Sequence, residues 1–222
     1  LLAHTTRAVS TSTWGVGTGN DAAYFCSLSP DGRYIAFESR ATNLVANDIN
    51  GSLYDVFLRD TLVNSTALVS ANCNGTGSGN GNSHSGQVSS DGRYITFASW
   101  AWDLANGDYS AGVRNLFRRD LLTGQTVLVS QNLTLAGGGA GDSALTPLNQ
   151  FNDASQYQRV MSPDGRTVAF VSSAPNLVAD DLNGQNDIFV WRSLALTPGV
   201  DLVLTKRASL SQVAAAGNFS YT

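Results

Sequence analysis

"GRYIAF" occupies residues 32–37, "GRYITF" residues 92–97 and "GRTVAF" residues 165–170. The flanks repeat as well. The aspartates ahead of each copy, Asp31, Asp91 and Asp164, are spaced by 60 and 73 residues, and Phe57, Phe117 and Phe189 by 60 and 72. The period is therefore close to 60, with an insertion in the third unit before its hexapeptide, around residues 143–158. Self-similarity at a fixed period signals supersecondary units that bury their faces only by stacking on one another.

Each unit reads as four short strands. The first ends at "CSLS" (26–29), "QVSS" (87–90) or "RVMS" (159–162). Pro-Asp-Gly or Ser-Asp-Gly then turns the chain, Gly taking the positive φ that a tight hairpin needs. The hexapeptide is the second strand, its side chains alternating between faces at period two. A longer link ("TNLVANDING", "WDLANGDYSAG" or "PNLVADDLNG") leads to a third strand, "DVFLRD", "NLFRRD" or "DIFVWR". The fourth is "STALVS" or "TVLVS", and a copy of it, "TTRAVS", opens the chain at residues 5–10. The fold class is all-β. Four antiparallel strands per repeat, joined by turns, make one blade of a β-propeller. A sandwich, the rival all-β arrangement, has no reason to repeat its turns and aromatics in register.

Composition agrees. The chain has 222 residues and 42% apolar content, enough for a buried core. Sixteen Asp stand against the single Glu38, and twelve Arg against the single Lys206. Helices favour Glu and Lys, whereas Asp, Asn, Gly and Ser are turn residues. A net charge of −4 with scattered cations argues against nucleic acid as a partner. No apolar run approaches the roughly 20 residues of a membrane span. The opening "LLAHTTRAVS" lacks the Met and basic start of a signal peptide, as expected if the numbering begins inside a longer gene product. Cys26 and Cys73 leave a disulfide and two separate thiols both open.

The pattern "SPDGRYIAFES…NLV…DVFLRD…LVS" resembles the TolB-like, WD-repeat-like β-propeller repeat of bacterial envelope and secreted proteins, over roughly residues 5–193. The second unit departs from it where "GDYSAGVRNLF" (107–117) replaces the Asp-x-Asn-Gly link. Residues 200–222, "VDLVLTKRASLSQVAAAGNFSYT", resemble the opening of the immunoglobulin-like conserved-repeat domain of bacterial surface proteins. These resemblances imply an extracellular, cell-surface or periplasmic protein. The expected organisation is propeller repeats over 1–193, with blades at about 22–70, 85–130 and 157–193. The opening strand at 5–10 supplies the missing edge of the last blade. Residues 194–222 are then a linker with the first strands of an immunoglobulin-like domain, or a strand donated to a neighbour.

Three blades do not close a ring, since propellers have four or more, and an unpaired strand edge is a template for pairing with another chain. The expected function is non-catalytic: a structural or self-assembling module of a bacterial envelope or extracellular polymer, a homo-oligomer or polymer joined through terminal strands. A propeller binding a protein or glycan ligand is the alternative, and a propeller attached to a hydrolase domain outside these residues is another. "GNSHS" (81–85) lacks the last Gly of a nucleophile elbow, and spacing suggests no partner for His4 or His84. Asp31, Asp91 and Asp164 fall in one repeated turn and Asp60 and Asp120 in another, which makes them structural.

Calcium is the one cofactor suggested. Asp48, Asn50 and Asp55, and again Asp181, Asn183 and Asp187, set side-chain oxygens around a Gly turn, as hard cations require. The same residues are good turn formers with no metal. Trp100 and Trp102 in "SWAWD" are candidates either to stack on a sugar ring or to seal neighbouring blades. The Gly-rich stretch at 74–83 is a flexible link between blades, because no helix follows it to supply the dipole of a phosphate loop.

Overall fold

The computed structural model describes residues 5–15, 17–107, 109, 112–145, 160–193 and 205–206. They contain three four-stranded antiparallel meanders, each with its strands in sequential order. The first comprises β1 (Ala23–Leu28), β2 (Tyr34–Ser39), β3 (Asp55–Asp60) and β4 (Ser65–Leu68). The second comprises β5 (Ser83–Val88), β6 (Tyr94–Ser99), β7 (Asn115–Asp120) and β8 (Gln125–Leu128). The third comprises β9 (Ser143–Ala144), β10 (Thr167–Ser172), β11 (Asp187–Arg192) and β12 (Thr205–Lys206). These are three β-propeller blades in an open arc. Among the described residues no helix is long and apolar enough to cross a membrane.

The repeated turn is locked by side chains. Ser29 Oγ donates to Asp31 Oδ1 at 2.5 Å, the Arg33 amide donates to the same oxygen at 3.1 Å, and the Tyr34 amide donates to Ser29 Oγ at 2.9 Å. Ser89–Asp91–Arg93–Tyr94 and Ser162–Asp164–Arg166–Thr167 repeat the arrangement. Gly32 sits at φ +73°, a region that L side chains avoid. A second lock ties this turn to the adjacent turn at the same end of the first two blades. Arg33 Nη2 reaches Asp60 Oδ2 at 2.7 Å, as Arg93 does Asp120, and each Asp also accepts backbone amides of the β3–β4 or β7–β8 turn. Arg192 occupies this position in the third blade, so the pair cannot form there.

Each blade holds one stacked Phe pair: Phe37–Phe57, Phe97–Phe117 and Phe170–Phe189, with ring centroids 5.5, 5.8 and 5.5 Å apart. Period two puts Ala36, Val56 and Leu58 on the opposite face of the first sheet. That face, with Cys26 and Val69, packs on Phe97, Phe117 and Leu104 of the second blade in one buried cluster. Ala98, Leu116 and Val129 pack in the same way on Phe170, Phe189 and Leu177 of the third. At about 1.5–3 kcal/mol per large buried side chain, these contacts make each blade's stability depend on its neighbour. One substitution changes the second contact. Arg118 stands where the first blade has Leu58, and its guanidinium lies between the rings of Tyr94 and Trp191, 4.5 and 4.6 Å from their centroids. Its Nη1 also donates to the Gly165 carbonyl at 2.9 Å.

The third blade corrects two sequence expectations. Its first strand does not begin near 157. β9 pairs Ser143 with Ser172 and Ala144 with Val171, while Met161 bridges Val168 further along the same edge. The insertion thus interrupts this strand from within. It falls where β1 and β5 each have a bulge, between Phe25 and Ser27 and between His84 and Gln87. The missing outer edge is not filled by the opening segment either. Residues 5–10 join no sheet; Val9 packs instead on the Phe37–Phe57 face of the first blade. β12 takes the edge, Thr205 opposite Val190 and Lys206 opposite Phe189. This is the register of Ala67 and Leu68 on β3. The rest of the tail assigned to an immunoglobulin-like domain or donated strand lies outside the described residues.

Candidate functional site

The residues that begin the first and third strands and end the second share one end of each blade. Tyr24 and His84 stand second in β1 and β5, Tyr54 and Arg114 directly precede β3 and β7, and Arg40 and Trp100 directly follow β2 and β6. Their rings form one continuous row across the first two blades. Tyr24 and Tyr54 have centroids 6.1 Å apart, Tyr54 and His84 5.0 Å, and His84 and Trp100 5.6 Å with the planes nearly perpendicular. The guanidinium of Arg40 lies 5.7 Å from the Tyr54 centroid and that of Arg114 5.2 Å from the Trp100 centroid. Tyr24 is 51% exposed, and Tyr54, His84 and Trp100 are half-buried.

The row is held from below. The Tyr54 amide donates to Asn82 Oδ1 at 2.8 Å, and the Ser83 amide donates to the Tyr54 carbonyl at 2.7 Å. Arg114 is tied to Asp142 and Ser143 of the third blade at 2.9 and 2.7 Å by the same two bonds. Glu38 adds a link between the first two blades: Oε2 accepts the Ser85 amide at 2.9 Å and lies 3.4 Å from His84 Nδ1. Such backing holds the rings in fixed positions. Burial, then the neighbouring Tyr24, raises the pKa of the Tyr54 hydroxyl, so the phenol is neutral at physiological pH.

The row offers aromatic faces, phenol hydroxyls and guanidinium groups, and beneath it lies a thiol beside a carboxylate. Cys26 Sγ lies 3.8 Å from Glu38 Oε2, so Cys26, Glu38 and His84 form a superficially triad-like group. The order is wrong for a nucleophile, with the carboxylate between thiol and imidazole. Burial first, then the charge of Glu38, push the Cys26 pKa far above the usual thiol range and disfavour thiolate. Cys26 and Cys73 are both free, one buried and one exposed.

The structure distributes the remaining candidates. Trp100 joins the row. Trp102 does not: it is 56% exposed and, among the described residues, makes no ring contact. In the first Asp/Asn link both Asp55 oxygens and Asp48 Oδ1 already meet donors, while Asn50 Oδ1 is buried without a hydrogen-bond partner. Asn50 Nδ2 donates to Asp55 Oδ2 at 2.8 Å and to the Gly79 carbonyl at 2.7 Å, Ser70 Oγ donates to Asp55 Oδ1 at 2.5 Å, and Ser78 Oγ to Asp48 Oδ1 at 3.2 Å. This is a hydrogen-bonded turn tying the link to the next blade, with the Asn50 amide nitrogen facing the Asp55 carboxyl. In the third link Asn183 Oδ1 accepts the Gln185 amide at 2.9 Å, and Asp181 and Asp187 are buried. No group of three His, Cys, Asp or Glu among the described residues could hold a metal.

No family model and no curated protein matches the chain. Solved structures are similar to it. TolB from Acinetobacter baumannii shares 16% identity at a TM-score of 0.44, over 87% of this chain and 35% of that one. A protein assigned as a TolB of Agrobacterium tumefaciens shares 16% identity at 0.42, over 82% of this chain and 48% of that one. The tricorn protease shares 9% identity at 0.42, over 88% of this chain and 16% of that one. The chain spans less than half the length of each. The propeller assignment itself rests on the three sequential meanders and the way their faces stack.

Proposed function

We propose that the chain is a non-catalytic binding module of a bacterial envelope or its exterior, and that the row Tyr24–Tyr54–His84–Trp100 takes a glycan. The continuous row of rings carries this reading. Aromatic faces with polar tips suit the apolar faces of pyranose rings, while phenols and guanidinium groups at the margin suit hydroxyl and carboxylate substituents. Placement in the cell comes from the sequence resemblance to envelope and secreted propellers.

The test is a titration of the 222-residue chain with a panel of oligosaccharides, neutral and acidic, followed by Trp fluorescence and calorimetry. Binding is expected to be lost in Trp100→Ala and Tyr54→Ala with unchanged circular dichroism, and retained in Trp102→Ala. A complete absence of binding at millimolar saccharide, or equal binding by Trp100→Ala, overturns the proposal.

A further inference from the structure

We infer that the two outer faces of the three-blade arc are halves of one more blade interface, and that a second copy of this chain joins them head to tail. The repeat allows the same position to be compared in blades with and without a neighbour. On the face turned to the following blade, Ala36, Val56 and Leu58 of the first blade are buried, as are Ala98 and Leu116 of the second. The equivalent residues of the third blade are Ala169, Val171, Ile188 and Val190. Ile188 is 51% exposed and the other three are only half-buried. The third blade therefore exposes more of this apolar face than the residues named in the two blades before it.

The first blade shows the complementary deficit. Arg119 is 8% exposed beneath the first blade, whereas its equivalent Arg59 is half-buried, although each donates to the matching threonine at 3.0 Å. Val69 and Val129 are fully buried, but their equivalent Val9 is only half-buried. Beside Arg59 lies a cavity of about 1090 Å³, lined by Ala8, Thr11, Leu44, Thr66 and Ala67 among others. In the second blade, Leu104 and Leu128, the equivalents of Leu44 and Leu68, are covered by Val56 and Leu58 of the blade before. In the first blade Leu44 and Leu68 are already 2% and 6% exposed with Val9 packed against their cluster, so the open part of this face is the cavity beside Arg59, and β11 with Ile188 and Val190 is the third strand more exposed than its equivalents.

The turns agree. A Cβ on Gly92 or Gly165 would come within 2.6 Å of the Tyr34 or Tyr94 ring of the preceding blade, so these turns rest directly on that neighbour. Gly32, in the same turn of the first blade, has nothing within 4 Å. Both kinds of bare surface belong to an interface that this chain already makes twice. Two copies joined by it in both directions give six blades about a two-fold axis, within the usual range for closed propellers.

Sedimentation velocity on the 222-residue chain across micromolar to hundred-micromolar concentration tests this. A concentration-dependent dimer is expected. Ile188→Asp and Thr66→Lys, the second on the Arg59 face of the first blade, should separately abolish it with circular dichroism unchanged. Mixing the two variants should restore a dimer, because each retains the face the other has lost. Thr167→Tyr, which installs the ring on which Gly92 and Gly165 rest in the existing contacts, should tighten the dimer by about threefold or more. A monomer at every concentration overturns the inference, as does a dimer that survives both single substitutions, or one that mixing fails to restore.

Discussion

Asp55→Asn exchanges a buried carboxyl for the amide that the second blade already uses at the same place, Asn115. Asp55 has no exposed surface, and burial is the main force raising its pKa from 3.8 to about 7, with the charges of Asp48 and Asp103 adding to it. The folded protein therefore binds this proton more tightly than the unfolded chain. Stability from this group is intact below about pH 4 and falls as pH rises toward 7. At about 1.4 kcal/mol per unit, the full loss above neutrality is on the order of 4 kcal/mol. Asparagine carries no such penalty. It keeps the bond to Ser70, as Asn115 keeps its own to Ser130 at 2.9 Å, but forfeits the one from Asn50, a cost of about 1 kcal/mol. The variant should be less stable than the parent by about 1 kcal/mol at pH 4 and more stable by about 2–3 kcal/mol at pH 8.5. Urea unfolding of both proteins at several pH values across this range measures the difference directly. A difference that keeps one sign throughout, or does not change with pH, would show that Asp55 is not held protonated and that the reasoning is wrong.

Arg118→Ala removes the guanidinium held between Tyr94 and Trp191, and should lower stability by about 2 kcal/mol in urea unfolding; Arg118→Leu, copying Leu58, should recover part of the loss. Gly86→Ala places a Cβ 2.7 Å from Val56 Cγ1 at the first blade contact, and should cost about 1–3 kcal/mol by the same measurement. In native protein a thiol reagent should modify Cys73 alone, with Cys26 reacting only at the rate of unfolding, because the first is exposed and the second buried. Chelator should leave the melting midpoint unchanged, since Asp48 and Asp55 are satisfied by Ser78, Ser70 and Asn50. A midpoint restored by added calcium would refute that.

The blades were legible because their signals are local. Ser-x-Asp-Gly-Arg closes its own turn within a few residues, so three copies of the motif announce three hairpins. The Phe pairs follow from strand period alone. The aromatic row was harder to see. It draws on columns of the repeat that change identity from blade to blade: Tyr24 corresponds to His84, Arg40 to Trp100 and Tyr54 to Arg114. Only Trp100 stood out by its chemistry. Reading the residues that flank each strand, column by column, would have exposed the aromatic and cationic bias at that end. β12 escaped because its segment lacks the "STALVS" pattern, so pairing with β11 had no sequence counterpart. The burial of Asp55 was likewise hidden, since an Asp in an Asp/Asn-rich link looks like surface until the next blade covers it.

The first strand of the third blade shows what the repeat tolerates. The spacing there is 73 residues instead of 60, so the molecule carries thirteen extra residues at a point where its other two units merely kink. Ser143 and Ala144 on one side and Met161 on the other nevertheless meet the partners expected from the undisturbed copies. A strand of this repeat can therefore carry an interruption of that length while the pairing on both sides of it stays in step.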